Sequence, residues 1–202
     1  ITCYQNALTI YTQQDFPTLW ASTQMNLGNA YREHLRGKQA ENLEEAITCY
    51  QNALTFYTQQ DFPIQWAKAQ MRLGFAYSNR LKGNKTQNLE EAITYFQNAL
   101  TIYTPQDFPT DWAIAQSKLG LAYSDRIRGD QAQNLEEAIT YFQNALTIYT
   151  RQNFPTDWVV IQMSLGNAYV NRIRGKQAEN LEEAITCYQN VLTIYTQQDF
   201  PT

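Results

Sequence analysis

The sequence is short of charge. Asp, Glu, Lys and Arg make up 17% of its 202 residues, well below the usual quarter of a globular domain. Lysine and arginine never gather into a run and the net charge is −4, so the basic footprint that nucleic acid requires is missing. Apolar runs are short as well. None approaches the ~18–20 residues of a bilayer span, so no membrane partner is expected. Histidine occurs once, at His34, and glycines stand singly. That leaves no metal-ligand spacing and no glycine-rich phosphate loop. Cysteine is limited to Cys3, Cys49 and Cys187, in a position that other copies of the pattern described below fill with Tyr95 and Tyr141. A slot that accepts a thiol or an aromatic ring is a packing slot. A disulfide there would need Cα atoms within about 7 Å, closer than the ~8–10 Å between packed helix axes. The expected setting is reducing and cytoplasmic. No signal peptide is seen, and the chain opens mid-pattern at Ile1, so it reads as a piece of something longer.

Amides and aromatic rings are plentiful. Gln and Asn together number 39, interleaved with 4 Trp, 14 Tyr and 9 Phe at regular spacing. That supply of apolar surface separates the chain from amide-rich disorder. The string NLEEAI begins at Asn42 and returns at Asn88, Asn134 and Asn180, always 46 residues on. A fixed period of this length signals a stacked repeat array. The chain therefore reads as one array over 1–202. It comprises a partial repeat at 1–16 holding only a second helix, repeats at 17–62, 63–108 and 109–154, and a last repeat at 155–202 that includes the start of the next linker.

Each repeat carries two helical stripes. Trp20, Gln24, Leu27, Gly28, Tyr31 and Leu35 mark helix A, with Pro17 in its first turn and Gly37 suited to a left-handed position after its end. Leu43, Ala46, Ile47, Tyr50, Ala53, Leu54 and Tyr57 mark helix B. Asn42 is expected to cap helix B, with Glu45 reaching back as a capping box and Glu44 favoured by the helix dipole. Neither helix can bury its stripe alone, so neighbours must stack.

The set Leu73-Gly74, Tyr77, Ala92, Phe96 and Ala99, matched in every other copy, resembles the tetratricopeptide (TPR) repeat. Two departures stand out. Six extra residues fall between Tyr77 and Ala92 and six between Ala53 and Leu73, and Trp66 precedes Leu73 by seven positions, with Gln70 at the usual place. The pattern is similar to the long-repeat variety found in large bacterial multidomain proteins, often beside signalling domains. The resemblance implies an all-α, TPR-like solenoid of antiparallel helix pairs, about nine helices in a right-handed superhelix, with helix A lining a concave groove.

Nothing in the pattern points to catalysis. His34 fills the slot of Arg80, Arg126 and Arg172, as a cation at a helix end. The Glu-Glu pairs recur at helix starts. Asp107 and Asp111 flank a loop and are expected to cap the next helix. No enzyme activity, cofactor or metal is expected. Arginines at the end of helix A (Arg80, Arg126, Arg172) lie near the glutamate pairs, forming opposite-sign rows that set register.

Comparing copies isolates one variable surface. Helix B repeats even its outward residues Thr48, Gln51, Asn52 and Thr55. Helix A varies at slots covering roughly 140–260° around its axis, opposite the shared stripe. The expected partner groove comprises Lys68, Met71, Arg72, Phe75, Asn79, Ile114, Lys118, Leu121, Asp125, Val160, Met163, Asn167, Val170 and Asn171. Contiguous apolar groups on a solvated face mark binding surfaces, so the leading expectation is a non-catalytic scaffold for a protein or peptide segment. The alternative is a structural spacer within a larger signalling protein, or an array that self-associates through uncapped ends. A final feature is the row Gln24, Gln70, Gln116 and Gln162 on the packed side. It is read either as an inter-repeat amide ladder or, preferentially, as bonded to loop backbone.

Overall fold

The structure, a computed structural model, describes residues 1–34 and 38–199, with side chains through residue 193. Among the described residues there are nine helices and no strand: α1 (Thr2–Leu8), α2 (Pro17–Glu33), α3 (Gln39–Leu54), α4 (Pro63–Ser78), α5 (Lys85–Leu100), α6 (Pro109–Ser124), α7 (Gln131–Leu146), α8 (Pro155–Asn171) and α9 (Gln177–Asp199). They form two compact units that divide between Ile102 and Tyr103. Even-numbered helices are the A type and odd-numbered helices the B type. In the first unit α2 packs on α3 and α4 on α5, with α3 also against α4 and α1 against α2. In the second unit α6 packs on α7 and α8 on α9, with α7 against α8. Each unit is thus an all-α stack of helix pairs of TPR-like solenoid type.

The interior is shared between repeats. Leu43, Ala46, Ile47 and Tyr50 of α3 form one cluster with Leu73 and Ala76 of α4. Ala138, Ile139 and Phe142 of α7 do the same with Ile161, Leu165 and Ala168 of α8. Within a pair, one contact sets the spacing. A Cβ added to Gly74 would lie 2.6 Å from the Phe96 ring, and the same ring-on-glycine contact joins Gly28 to Tyr50, Gly120 to Phe142 and Gly166 to Tyr188. Hydrogen is the only substituent that fits there. Cys49 and Cys187 are buried packing groups, as their slot suggested, and all three cysteines are free thiols. Burial, aided by Glu45 and Glu183 respectively, pushes each buried thiol up to about 11, which keeps it inert.

Helix A begins as its sequence indicates, with Pro17, Pro63, Pro109 and Pro155 in the first turn. Its end differs from expectation. Leu81 belongs to the A–B loop and is 67% exposed, because α4 stops at Ser78. Leu35, Arg36 and Gly37 lie outside the described residues. The glycines matching Gly37 (Gly83, Gly129 and Gly175) have φ of 82°, 83° and 81°. They sit within the loop, several residues beyond the helix end, where a left-handed turn suits glycine.

The start of helix B also needs correction. NLEEAI is not its first turn. Helix B opens three residues earlier, and Asn84 and Asp130 are the caps, accepting from the N–H of Gln87 and Gln133 at 3.0 and 2.8 Å. Asn88, Asn134 and Asn180 lie inside the helix, buried. Their Nδ2 groups donate to the loop carbonyls of Lys82, Arg128 and Arg174 at 2.8, 2.8 and 2.9 Å. The asparagine ties down the glycine loop instead of capping the helix, and the capping box with Glu45 is not formed.

The first glutamate of the pair has its own task, across repeats. Arg80 donates through Nε and Nη2 to the two oxygens of Glu44 in the preceding repeat, at 2.8 and 2.7 Å, and Arg172 holds Glu136 at the same distances. The same guanidinium lies 5.2 Å from the Tyr77 ring centre and reaches Asn88 Oδ1 at 3.4 Å. Ion pairs on open surface contribute about 0–1 kcal/mol. This one is bidentate and only 26% exposed on each side, which places it at the upper end. His34 stands in the corresponding slot of the first full repeat and meets Asn42 through Nδ1 at 3.1 Å.

Two outcomes test this packing. Gly74→Ala forces the Phe96 ring out of a fully buried site and is expected to destabilise the chain by about 1–3 kcal/mol, read as a lower urea midpoint. The second outcome concerns acid. The Arg80 and Arg172 hydrogen bonds hold the Glu44 and Glu136 carboxyls below their ordinary value of 4.5. Their contribution is complete above that value and disappears as pH falls through the lowered folded-state value. A Glu44→Gln/Glu136→Gln variant should therefore lose less thermal stability than the parent on acidification from pH 5 into that range.

Candidate functional site

The variable slots of helix A lie off the shared stripe, and the slot of Phe75 and Asn167 borders the ring that sits on the glycine. Among the expected groove residues, Lys68, Asn79, Leu121, Asp125, Val160, Met163, Asn167, Val170 and Asn171 are exposed, while Arg72, Phe75, Ile114 and Lys118 are half-buried. Phe75 turns edge-on to Phe96, with ring centres 5.5 Å apart. Met71 is the correction: at 6% exposure it belongs to the core and is not offered to a partner. The matching Met25 shows why. It packs against the clusters built from α2, α3 and α4, so this slot points at the neighbouring helix A. Met163 in the same slot is 46% exposed on α8, so it is a packing position left open.

Helix B's constant outward residues have structural work, which the sequence comparison did not detect. Gln5 and Gln143 donate to the hydroxyls of Tyr31 and Tyr169 in the following repeat, both at 3.0 Å. Gln13 and Gln59 of the B–A linkers donate to Thr55 and Thr101, the next repeat's threonines, both at 2.9 Å. Asn98 and Asn144 donate to Gln70 and Gln116 at 3.2 and 3.1 Å. The glutamine row is therefore neither an inter-repeat ladder nor a loop tie. Gln70 and Gln116 bond to helix B of their own repeat. In α8 the matching Gln162 Oε1 is buried without a partner. Asp107 does not cap α6 either. It closes a turn with Thr104, accepting from Oγ1 at 2.8 Å, while Phe108 occupies the cap position.

In the second unit the variable slots open a cleft of about 440 Å³ between α6, α7 and α8. Leu121, Ser124 and Asp125 come from α6, Leu135 and Phe142 from the floor of α7, and Ser164, Asn167 and Asn171 from α8. Four expected groove residues thus meet at one place: Leu121, Asp125, Asn167 and Asn171. Val160, Met163 and Val170 do not line it. Ser124 and Ser164 occupy variable slots but were not among the expected contacts, and Ile173, in the loop, was outside the expected set. Asn167 Oδ1 accepts from Tyr188 at 2.7 Å, and Asn171 Nδ2 donates to the Asn167 carbonyl at 2.9 Å. Ser124 Oγ is buried without a partner. Asp125 is the cleft's one charged group, and its carboxylate has no partner among the described residues.

These features offer apolar contact and hydrogen-bond acceptors to a ligand but no nucleophile–base arrangement. No group of three or more His, Cys, Asp or Glu residues with metal-binding placement occurs among the described residues. Family models match three helix pairs, the tetratricopeptide repeat at residues 20–57 and the Sel1 repeat at 67–100 and 113–146. The chain is a TPR-like repeat protein. Each Sel1 segment runs from within helix A through the A–B loop to the end of helix B, so the B–A linker and the first turn of helix A lie outside the matched segments. No curated protein matches the chain. TPR and Sel1 repeats generally mediate protein–protein interaction and are non-catalytic scaffolds. No described helix of this repeat protein is long and apolar enough to cross a membrane.

The loop-tying asparagines give a direct check on this scaffold. Asn134→Ala removes the donor to the Arg128 carbonyl inside a buried site and should cost about 1–3 kcal/mol. It should also raise amide exchange in residues 126–130, while an outward change such as Thr140→Ala leaves that loop unaffected.

Proposed function

We propose that this TPR-like chain binds a segment of a partner protein along the outer face of helix A. The observation that carries the reading is the convergence of Leu121, Asp125, Asn167 and Asn171 on one cleft in the second unit. Val160, at 53% exposure, adds apolar surface on α8. Helix B's outward amides are committed inside the array, to the following repeat's tyrosine or to the glutamine of their own repeat. The bound segment lies across consecutive A helices, and its side chains enter the gaps that small residues leave between them.

The binding reading is tested by placing the photoreactive residue p-benzoylphenylalanine at Leu121, Val160 or, as a control, Thr140. Irradiation in the native cells should give protein adducts from the two helix-A positions and none from Thr140. Adducts confined to Thr140 would overturn the groove.

A further inference from the structure

The two units carry the same slots with different contents. In the first unit, Arg32 and Arg72 occupy the positions of Ser124 and Ser164, Phe75 that of Asn167, and Tyr50 that of Phe142. Glu33 stands where the second unit has Asp125. Its carboxylate is paired within the chain, accepting from Arg32 Nη2 at 3.0 Å. Burial pushes the Tyr50 hydroxyl up to about 12, and the positive charges of Arg32 and Arg72 act against that rise. In the first unit the slots that hold serine in the second thus carry two cationic side chains, and Arg32 pairs with the acid.

The second unit keeps the acid and lacks both arginines. What remains is a cleft of about 440 Å³, walled by Leu121 and Ile173, floored by Phe142 and Leu135, and open to an unpaired carboxylate. Its buried Ser124 Oγ also has no partner. We infer that this cleft takes a lysine or arginine side chain of the bound partner, its aliphatic stem against Leu121 and Phe142 and its cation on Asp125. The ligand supplies in trans the cation that Arg32 supplies in cis to Glu33. Ser124 Oγ accepts one N–H of the cationic head, which gives a buried acceptor the bond it lacks.

This inference rests on the helix-A groove proposed above, and one experiment separates the two. A display library of random dodecamer peptides is panned against the whole chain, and selected peptides are synthesised for calorimetry. A basic residue is expected at one fixed position in the selected set. Replacing it with norleucine, or changing Asp125→Asn in the chain, should each weaken binding about tenfold, and the two changes together should add little more. Ser124→Arg/Ser164→Arg/Asn167→Phe installs the side chains of the first unit and should abolish selection, with the helical circular dichroism signal retained. Peptides without a basic residue that still lose affinity on Leu121→Ala would overturn the cation site and keep the groove. Peptides indifferent to Asp125, Leu121 and Val160, or no selected peptides at all, would overturn both.

Discussion

The separation of helix A from helix B is set by an aromatic ring seated on a glycine. Once Phe96 lies on Gly74 and Phe142 on Gly120, the two helices of a pair have little freedom to slide or roll, since any movement drives a rigid ring into backbone. The orientation of the pair fixes which residues of helix B meet the following helix A. That in turn fixes where the opposite face of helix A is presented. The variable slots can change because none of them supplies the glycine or the ring, although the slot of Phe75 and Asn167 borders the ring itself. Core packing at native density leaves no comparable freedom on the inner side.

Polar bonds then set register at a level that apolar packing does not. Burial of Leu43, Ile47 and Tyr50 against Leu73 and Ala76 is weakly directional. A bidentate Arg80–Glu44 pair tolerates only one alignment of two repeats. The same arginine contacts Tyr77 in the helix before it and Asn88 in the helix after it. Helix end, loop and neighbouring repeat are therefore positioned by one side chain. This explains why NLEEAI is spelled so strictly. Its asparagine secures the loop, its first glutamate holds the next repeat, and its leucine, alanine and isoleucine fill the shared interior.

The sequence made the architecture legible because period, stripe and proline position all report local geometry. The roles of single polar residues were less legible. Asparagine before Leu-Glu-Glu has the signature of a cap, yet tertiary context moved the helix start upstream and used the amide against loop carbonyls. Asn84 and Asp130 carried the true signal, but in copies whose counterpart at Lys38 lacks it. Likewise, Gln51 and Asn52 looked like outward residues held constant without reason. Partners such as Tyr169 for Gln143 lie 26 residues away, and Gln116 lies 28 before Asn144, beyond what helical spacing conveys. Met71 was misplaced because an angular count separates core from surface but cannot separate solvent from an adjoining helix.

The candidate site was legible as a face, not as a cavity. Variation between copies located Leu121, Asp125, Asn167 and Asn171, and its slots also held Ser124 and Ser164, but only the structure places these small residues around a cleft. A cavity in a repeat array is a difference between copies: Ser124 and Ser164 matter because Arg32 and Arg72 show what the same scaffold holds when full. The same helix-pair scaffold carries either content, arginine in one unit and serine in the other. Asp125, retained after the arginine is gone, stays exposed to water beside an apolar floor, with no side-chain partner among the described residues. A cation arriving from outside would pair with it, and that pairing would give the proposed groove a preference for what it binds.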